Sequence, residues 1–211
     1  MGISAREVKP SAARPPADTE TRVRTRDPGR RDRILVAAAD LVARKGFHAV
    51  SVAEIGAAAG ITGSGVYRHF DRKTAVLVAL FDQIIDDLLR DEQEILESAT
   101  DLSAALDQLI AGQVQFVVGD RELAQVYHNE INNLPAEDRR RLRRKQRLYL
   151  EEWVHLVTEL RGELSDADAR TVVHAAVGGI QSALFHNPGL AEDRLRELLT
   201  DAARAIVGIR Y

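Results

Sequence analysis

Cysteine is absent from the 211 residues, which excludes disulfides, thiolate nucleophiles and thiolate-bound metal. No uncharged apolar run is long enough to cross a bilayer, and the N-terminal stretch holds no signal-peptide core. A cysteine-free, charged chain of this kind is expected to be soluble and cytoplasmic. Strand-like alternation of apolar and polar residues is missing, so the expected fold class is all-α. There is no Ser-His-Asp order, phosphate loop or H-E-x-x-H motif. The histidines, His48, His69, His128, His155, His174 and His186, lack metal-ligand spacing. Neither an enzyme nor a cofactor or metal site is therefore expected. Proline is scarce beyond the N-terminus: Pro10, Pro15, Pro16 and Pro28 precede the first helix, and only Pro135 and Pro188 follow it.

Charge is present but unevenly spread. The net charge is −3, yet residues 22–73 carry 11 Lys/Arg against 5 Asp/Glu, a balance of +6. Residues 74–211 carry 15 against 24, a balance of −9. Such asymmetry suits one part that meets a polyanion and another that stays clear of it. Residues 1–29 have no helical periodicity and little apolar area to bury, and are expected to form a disordered basic arm. Arg22, Arg24, Arg26, Arg30, Arg31 and Arg33 at its end suit a phosphate backbone as well as a solubilising tail.

Three short helices follow. Ile34, Leu35, Ala38, Leu41 and Val42 recur at helical spacing over Gly29–Lys45, and Gly46 is a C-terminal stop. Ser51 and Glu54 form an S-x-x-E capping box that opens a second helix ending before Gly60. After Ile61, Thr62 caps a third helix over 62–70. Two short helices joined by a tight glycine turn make a helix-turn-helix. In the second, Ala53, Ala57 and Ala58 are small enough for a close crossing. In the third, only Val66 and Phe70 read as core anchors, while two glycines weaken it by about 1 kcal/mol each relative to alanine. Close approach to DNA tolerates such residues where stability alone would not select them.

At these residues the sequence resembles the tetracycline-repressor (TetR/AcrR) family of bacterial transcription regulators. The resemblance spans 34–80 and rests on three segments. These are I-L-x-A-A-x-x-L-x-x-x-K-G-F from Ile34, S-V-x-x-I-G-x-x-A-G-I-T from Ser51, and G-V-Y-R-H-F-x-x-K from Gly65. It implies an N-terminal three-helix DNA reader, a connecting helix and a larger helical domain for ligand binding and dimerisation, with the domains at 30–75 and 76–211. It also implies DNA contacts from Thr62, Ser64, Tyr67 and His69, with Lys73 holding a phosphate. Hydroxyl, phenol and imidazole groups suit phosphate or base-edge contacts, and a lysine suits a point charge on phosphate. Partial core packing is the alternative for Tyr67, and Arg68 faces either the groove or solvent. Many family members carry a longer side chain at Gly63, so the resemblance implies one possible base contact fewer here.

Beyond the reader, the connecting helix is expected over 71–98, with Val76, Leu77, Leu80, Ile84, Leu88 and Ile95 on its apolar side. Further helices are expected over Leu102–Val118, 121–133, 136–161, 165–186 and 191–208, divided at Pro135, Gly162 and Asn187-Pro188-Gly189. The last two resemble a dimer interface. Thr171, Ala175, Gly178, Gly179 and Ser182 form a small-residue face, and Leu195, Leu198, Leu199, Ala202 and Ile206 an apolar stripe. A carboxylate on the stripe of Leu123, Tyr127 and Leu134 is costly without a partner, so Glu130 with Tyr127 is the leading pocket pair. Gln113, Phe116, Trp153, His174 and Gln181 are further pocket candidates, each equally suited to core or surface. The run Arg139, Arg140, Arg141, Arg143, Arg144, Lys145 and Arg147 wraps around its helix. It reads as a solvated helix or, through Arg141 and Arg144, as a site for the phosphates of an acyl-CoA.

The function expected is a homodimeric, ligand-responsive repressor. It would leave a near-palindromic double-stranded operator when a small apolar effector, an acyl-CoA among them, enters the C-terminal domain. The alternative is an activator or a ligand-independent DNA-binding scaffold.

Overall fold

The computed structural model describes residues 29–186 and 189–209, and the expectations for the arm at 1–28 lie outside them. Helix α1 (Gly29–Lys45) buries Ile34, Leu35, Ala38, Leu41 and Val42 along one face. It stops where Gly46 turns to φ +76°, a left-handed conformation that a side chain would strain. Helix α2 (Val52–Ala58) opens with the expected capping box: Glu54 N donates to Ser51 Oγ at 3.2 Å and Ser51 N to Glu54 Oε2 at 2.8 Å. Lys45 Nζ also donates to Glu54 at 2.7 Å, and this bond, with those from Ser51, pulls the carboxyl down to about 2.

Helix α3 is shorter than its sequence pattern. Only Gly63–Val66 is α-helical, and the chain continues through tightened turns in which His69 N donates to Val66 O at 2.9 Å. Two glycines leave little to sustain a longer helix. The close α2–α3 crossing is real, but its small residues are Gly56 and Ala53. A Cβ on Gly56 would lie 2.9 Å from Gly63 N, and one on Gly63 would lie 3.3 Å from Ala53 Cα. Ala57 and Ala58 are exposed instead. Val66 and Phe70, both buried, fix α3 from beneath.

The connector α4 (Lys73–Ser98) starts two residues later than its pattern, followed by α5 (Leu102–Val118) and α6 (Arg121–Glu130). Then come a 3-10 turn (Ile131–Asn133), α7 (Ala136–Leu160), α8 (Asp166–Gln181), a second 3-10 turn (Ser182–Leu184) and α9 (Glu192–Val207). No strand occurs among the described residues, and none of their helices is long and apolar enough to cross a membrane.

Two apolar cores hold these helices. One joins α1, α2 and α3 to the first half of α4 and to Val126, Tyr127, Ile131 and Leu134. The other joins α5, α7, α8 and α9 around Leu106, Ile110, Trp153 and Val173. Packing thus runs continuously from the three-helix head into α4 and α6. On the outside, Thr171, Ala175 and Gly178 of α8 are exposed at i, i+4 and i+7, as are Leu198, Ala202 and Ala205 of α9. Leu195, Leu199 and Ile206 of the sequence stripe turn inward against the second core.

Candidate nucleic-acid interface and effector pocket

The outward face of α3 and the turns after it carries polar groups with no packing role. Thr62, Ser64, Arg68 and His69 are exposed, and Tyr67 is 54% exposed, which removes core packing as its explanation. Thr62 has a local duty as well: its Oγ1 accepts from Gly65 N at 3.1 Å and lies 2.9 Å from Ser64 Oγ. Arg31 of α1 stacks 5.5 Å over the Phe70 ring, which puts another cation beside this face.

Lys73 corrects the sequence reading. Its ammonium donates to Phe47 O and Val50 O at 2.9 Å and to His48 O at 3.4 Å, and sits 4.4 Å over the Phe47 ring. An ammonium has three donors, and here all are directed at the loop between α1 and α2. Lys73 therefore pins that loop to the start of α4.

Glu130 is corrected for a similar reason. Its Oε1 accepts from Phe47 N at 3.1 Å and its Oε2 from Asn133 Nδ2 at 2.6 Å. Phe47 belongs to the head and Glu130 to the end of α6, so this carboxylate ties the two instead of lining a cavity. Arg141 pairs bidentately with Asp82 of α4, at 2.6 Å for its Nη2, and Lys145 reaches Asp82 at 3.0 Å and Asp86 at 2.6 Å. Partial burial opposes ionisation of Asp82, but hydrogen bonds from Arg141 and Lys145 outweigh it and hold the carboxyl below its ordinary range. Arg139 and Arg143 bond to Asn132 O and Oδ1, each at 3.0 Å, while Arg144 is exposed. Much of the arginine run is thus engaged within the protein, Arg141 above all, and it does not converge as a phosphate site. His174 is exposed on the outer face of α8. Trp153 is 0% exposed and fills the second core.

A cavity of about 240 Å³ does form where α5, α6, α7 and α8 meet. Gln113, Phe116 and Tyr127 line it as the sequence proposed, and so does Gln181. His128, Asn132, Arg143 and Gln146 were not singled out for it, because no periodic signal marks a polar residue at a helix junction. The lining includes four amides, a phenol, an imidazole and a guanidinium, and no carboxylate. Gln113 is only 4% exposed, and the buried Tyr127 hydroxyl has no hydrogen-bond partner. Burial pushes the Tyr127 phenol up, so it remains a neutral donor. Its ring meets Phe81 of α4 edge-on at 4.9 Å between centroids, which links the cavity wall to the connector.

Glu92 of α4 escaped the sequence reading. It is 4% exposed, its Oε1 has no partner, and burial, with Glu152 nearby, pushes its carboxyl up to about 8. The signal existed: Glu92 follows Leu88 by one turn on the connector's apolar stripe. No group of acidic and histidine side chains among the described residues is arranged to hold a metal ion.

Comparison with known proteins agrees with this architecture. Residues 34–80 match the model of bacterial regulatory proteins of the tetR family, and residues 99–184 that of a tetracyclin repressor-like C-terminal domain. The HTH-type transcriptional repressor KstR2 of Rhodococcus jostii is 33% identical over 111 residues, 53% of this chain and 54% of that protein. The chain thus spans about half the length of that relative. FadR of Bacillus subtilis, solved with stearoyl-CoA, superposes with a TM-score of 0.70 at 22% identity, covering 85% of this chain and 99% of that one. AibR, solved with isovaleryl coenzyme A and operator DNA, gives 0.71 at 17%, covering 82% and 97%. Taken with the helix-turn-helix geometry, the two family matches show that the chain belongs to the TetR family of bacterial regulatory proteins.

Proposed function

We propose that the protein is a homodimeric transcriptional repressor acting in the cytoplasm, which binds a near-palindromic operator and leaves it when a small effector enters the α5–α8 cavity. The observation that carries the DNA reading is the face of Thr62, Ser64, Tyr67, Arg68 and His69, exposed and set on buried Val66 and Phe70. Such a face offers base-edge and phosphate contacts from a rigid support. The matching exposed stripes of α8 and α9 support a two-fold four-helix interface, which would set two α3 faces about one DNA turn apart. KstR2 is named as a repressor, which supports repression over activation.

Ligand response would run through α6. Tyr127 meets the cavity on one side and Phe81 of the connector on the other, and Glu130 at the end of α6 holds the head at Phe47. A ligand that binds one setting of α6 better than another shifts the spacing of the two heads by that difference in affinity. The acyl-CoA complexes of AibR and FadR support acyl compounds as the class to test. The experiment is an operator complex followed by fluorescence anisotropy while acyl-CoAs and free acids are added. Release by one series supports the reading. Tight operator binding that no acyl compound alters would leave a DNA-binding scaffold without this response.

A further inference from the structure

We infer that the α5–α8 cavity takes a compact acyl group, of about ten non-hydrogen atoms, whose carbonyl or carboxylate oxygen accepts from Tyr127, and that Tyr149 and Trp153 close it against long chains. This rests on reading the cavity as the effector site. Its size comes first: a cavity of about 150 Å³ holds benzene, so one of about 240 Å³ holds a molecule roughly half as large again. Its chemistry comes second. A buried hydroxyl without a partner is costly, and Tyr127 stands in that position at the cavity wall, beside the buried amide of Gln113. The Tyr127 hydroxyl has a hydrogen to donate. The Arg143 charge acts on it, and no carboxylate lines the cavity, so an oxygen acceptor or an anion fits there and a cation does not.

Closure is the third observation. Gln146 lines the cavity, and Tyr149 and Trp153 follow it at i+3 and i+7 on the same face of α7. Both are buried, their rings meet edge-on at 6.1 Å, and they share the second core with Leu106 and Ile110. A chain extended past Gln146 has to displace two packed aromatic rings. Asn132 and Arg143, by contrast, are exposed lining residues and mark the mouth. An acyl group enters there, and whatever it is attached to remains outside.

The test is isothermal titration of the intact protein with hexanoate, hexanoyl-CoA and stearoyl-CoA. At least one hexanoyl compound is expected to bind tenfold or more tightly than stearoyl-CoA, and the acid and thioester arms tell which form is recognised. Tyr127→Phe should weaken the hexanoyl ligand about tenfold, the loss of one hydrogen bond, without lowering the melting temperature of the unliganded protein. Trp153→Leu should admit stearoyl-CoA. If that variant does not fold, the wild-type chain-length ranking still decides. Stearoyl-CoA binding as tightly as hexanoyl compounds, binding of neither hexanoyl form, or full affinity in Tyr127→Phe would each overturn the inference. Operator release by stearoyl-CoA would leave the effector reading intact while removing this one. Hexanoyl binding without operator release would do the reverse.

Discussion

Replacing Glu92 with glutamine should make the protein more stable at neutral pH and alter how its stability depends on pH. The carboxyl is 4% exposed with one unpartnered oxygen, and its value rises from 4.5 to about 8 on folding. Between those values the folded state binds the proton and the unfolded state has lost it. Wild-type stability therefore falls as pH rises through this window, at up to about 1.4 kcal/mol per unit. Integrated from pH 5 to pH 7, the loss is about 2.5 kcal/mol, and it ends above the folded value. Glutamine has the same shape and no proton to lose, so its variant lacks this slope. For a chain of this size the difference corresponds to roughly 5–10 °C in melting temperature. Thermal melts of both proteins at pH 5, 6, 7 and 8 would show the gap widening with pH. A gap that stays constant, or closes as pH rises, would refute the burial argument.

Lys73→Met should lower stability by about 1–2 kcal/mol, because loop carbonyls lose their donor, and leave the salt dependence of DNA binding unchanged. A salt slope reduced by about one with an unaltered melting temperature would restore a phosphate role. A double-mutant cycle of Asp82→Ala and Arg141→Ala should give a coupling of about 1 kcal/mol, since both groups remain partly exposed. Because the Asp82 carboxyl is held low, that contribution should persist above about pH 4 and disappear as pH falls through its folded value. A coupling that grows as pH falls below about 4 would contradict the ion pair. Glu130→Ala should loosen α6 from the head, so that an effector still binds while operator release weakens; full release would remove α6 from the route.

The head was legible in the sequence because each of its features is local. Gly46, the Ser51–Glu54 box, the Thr62 cap and the Val66–Phe70 anchors lie within one or two turns of what they act on. The long helices were legible by apolar period, with ends shifted by one or two residues, as at the start of α4, and with 3-10 turns taking over the last residues expected of α6 and α8. The cavity was less legible, because its polar lining comes from four helices whose rotation no single stripe reveals. Glu130 and Glu92 make the point together. Both are carboxylates on apolar stripes, yet Glu130 finds the Phe47 amide 83 residues away, while Glu92 has no such partner. Arg141 likewise looks like a free cation until Asp82, 59 residues earlier, is brought beside it. Pairings at such separations are set by tertiary packing.

Selection of bound duplexes from a random DNA pool tests the reading role of α3 most directly. The wild-type protein should enrich an inverted repeat with half-site centres about 10 base pairs apart. Ser64→Ala or His69→Ala should relax preference at particular positions, with about 1–3 kcal/mol lost where a base contact goes. Tyr67→Ala should weaken binding. Failure to enrich any repeat, or an unchanged repeat in a variant carrying all three substitutions, would contradict α3 as the helix that reads DNA.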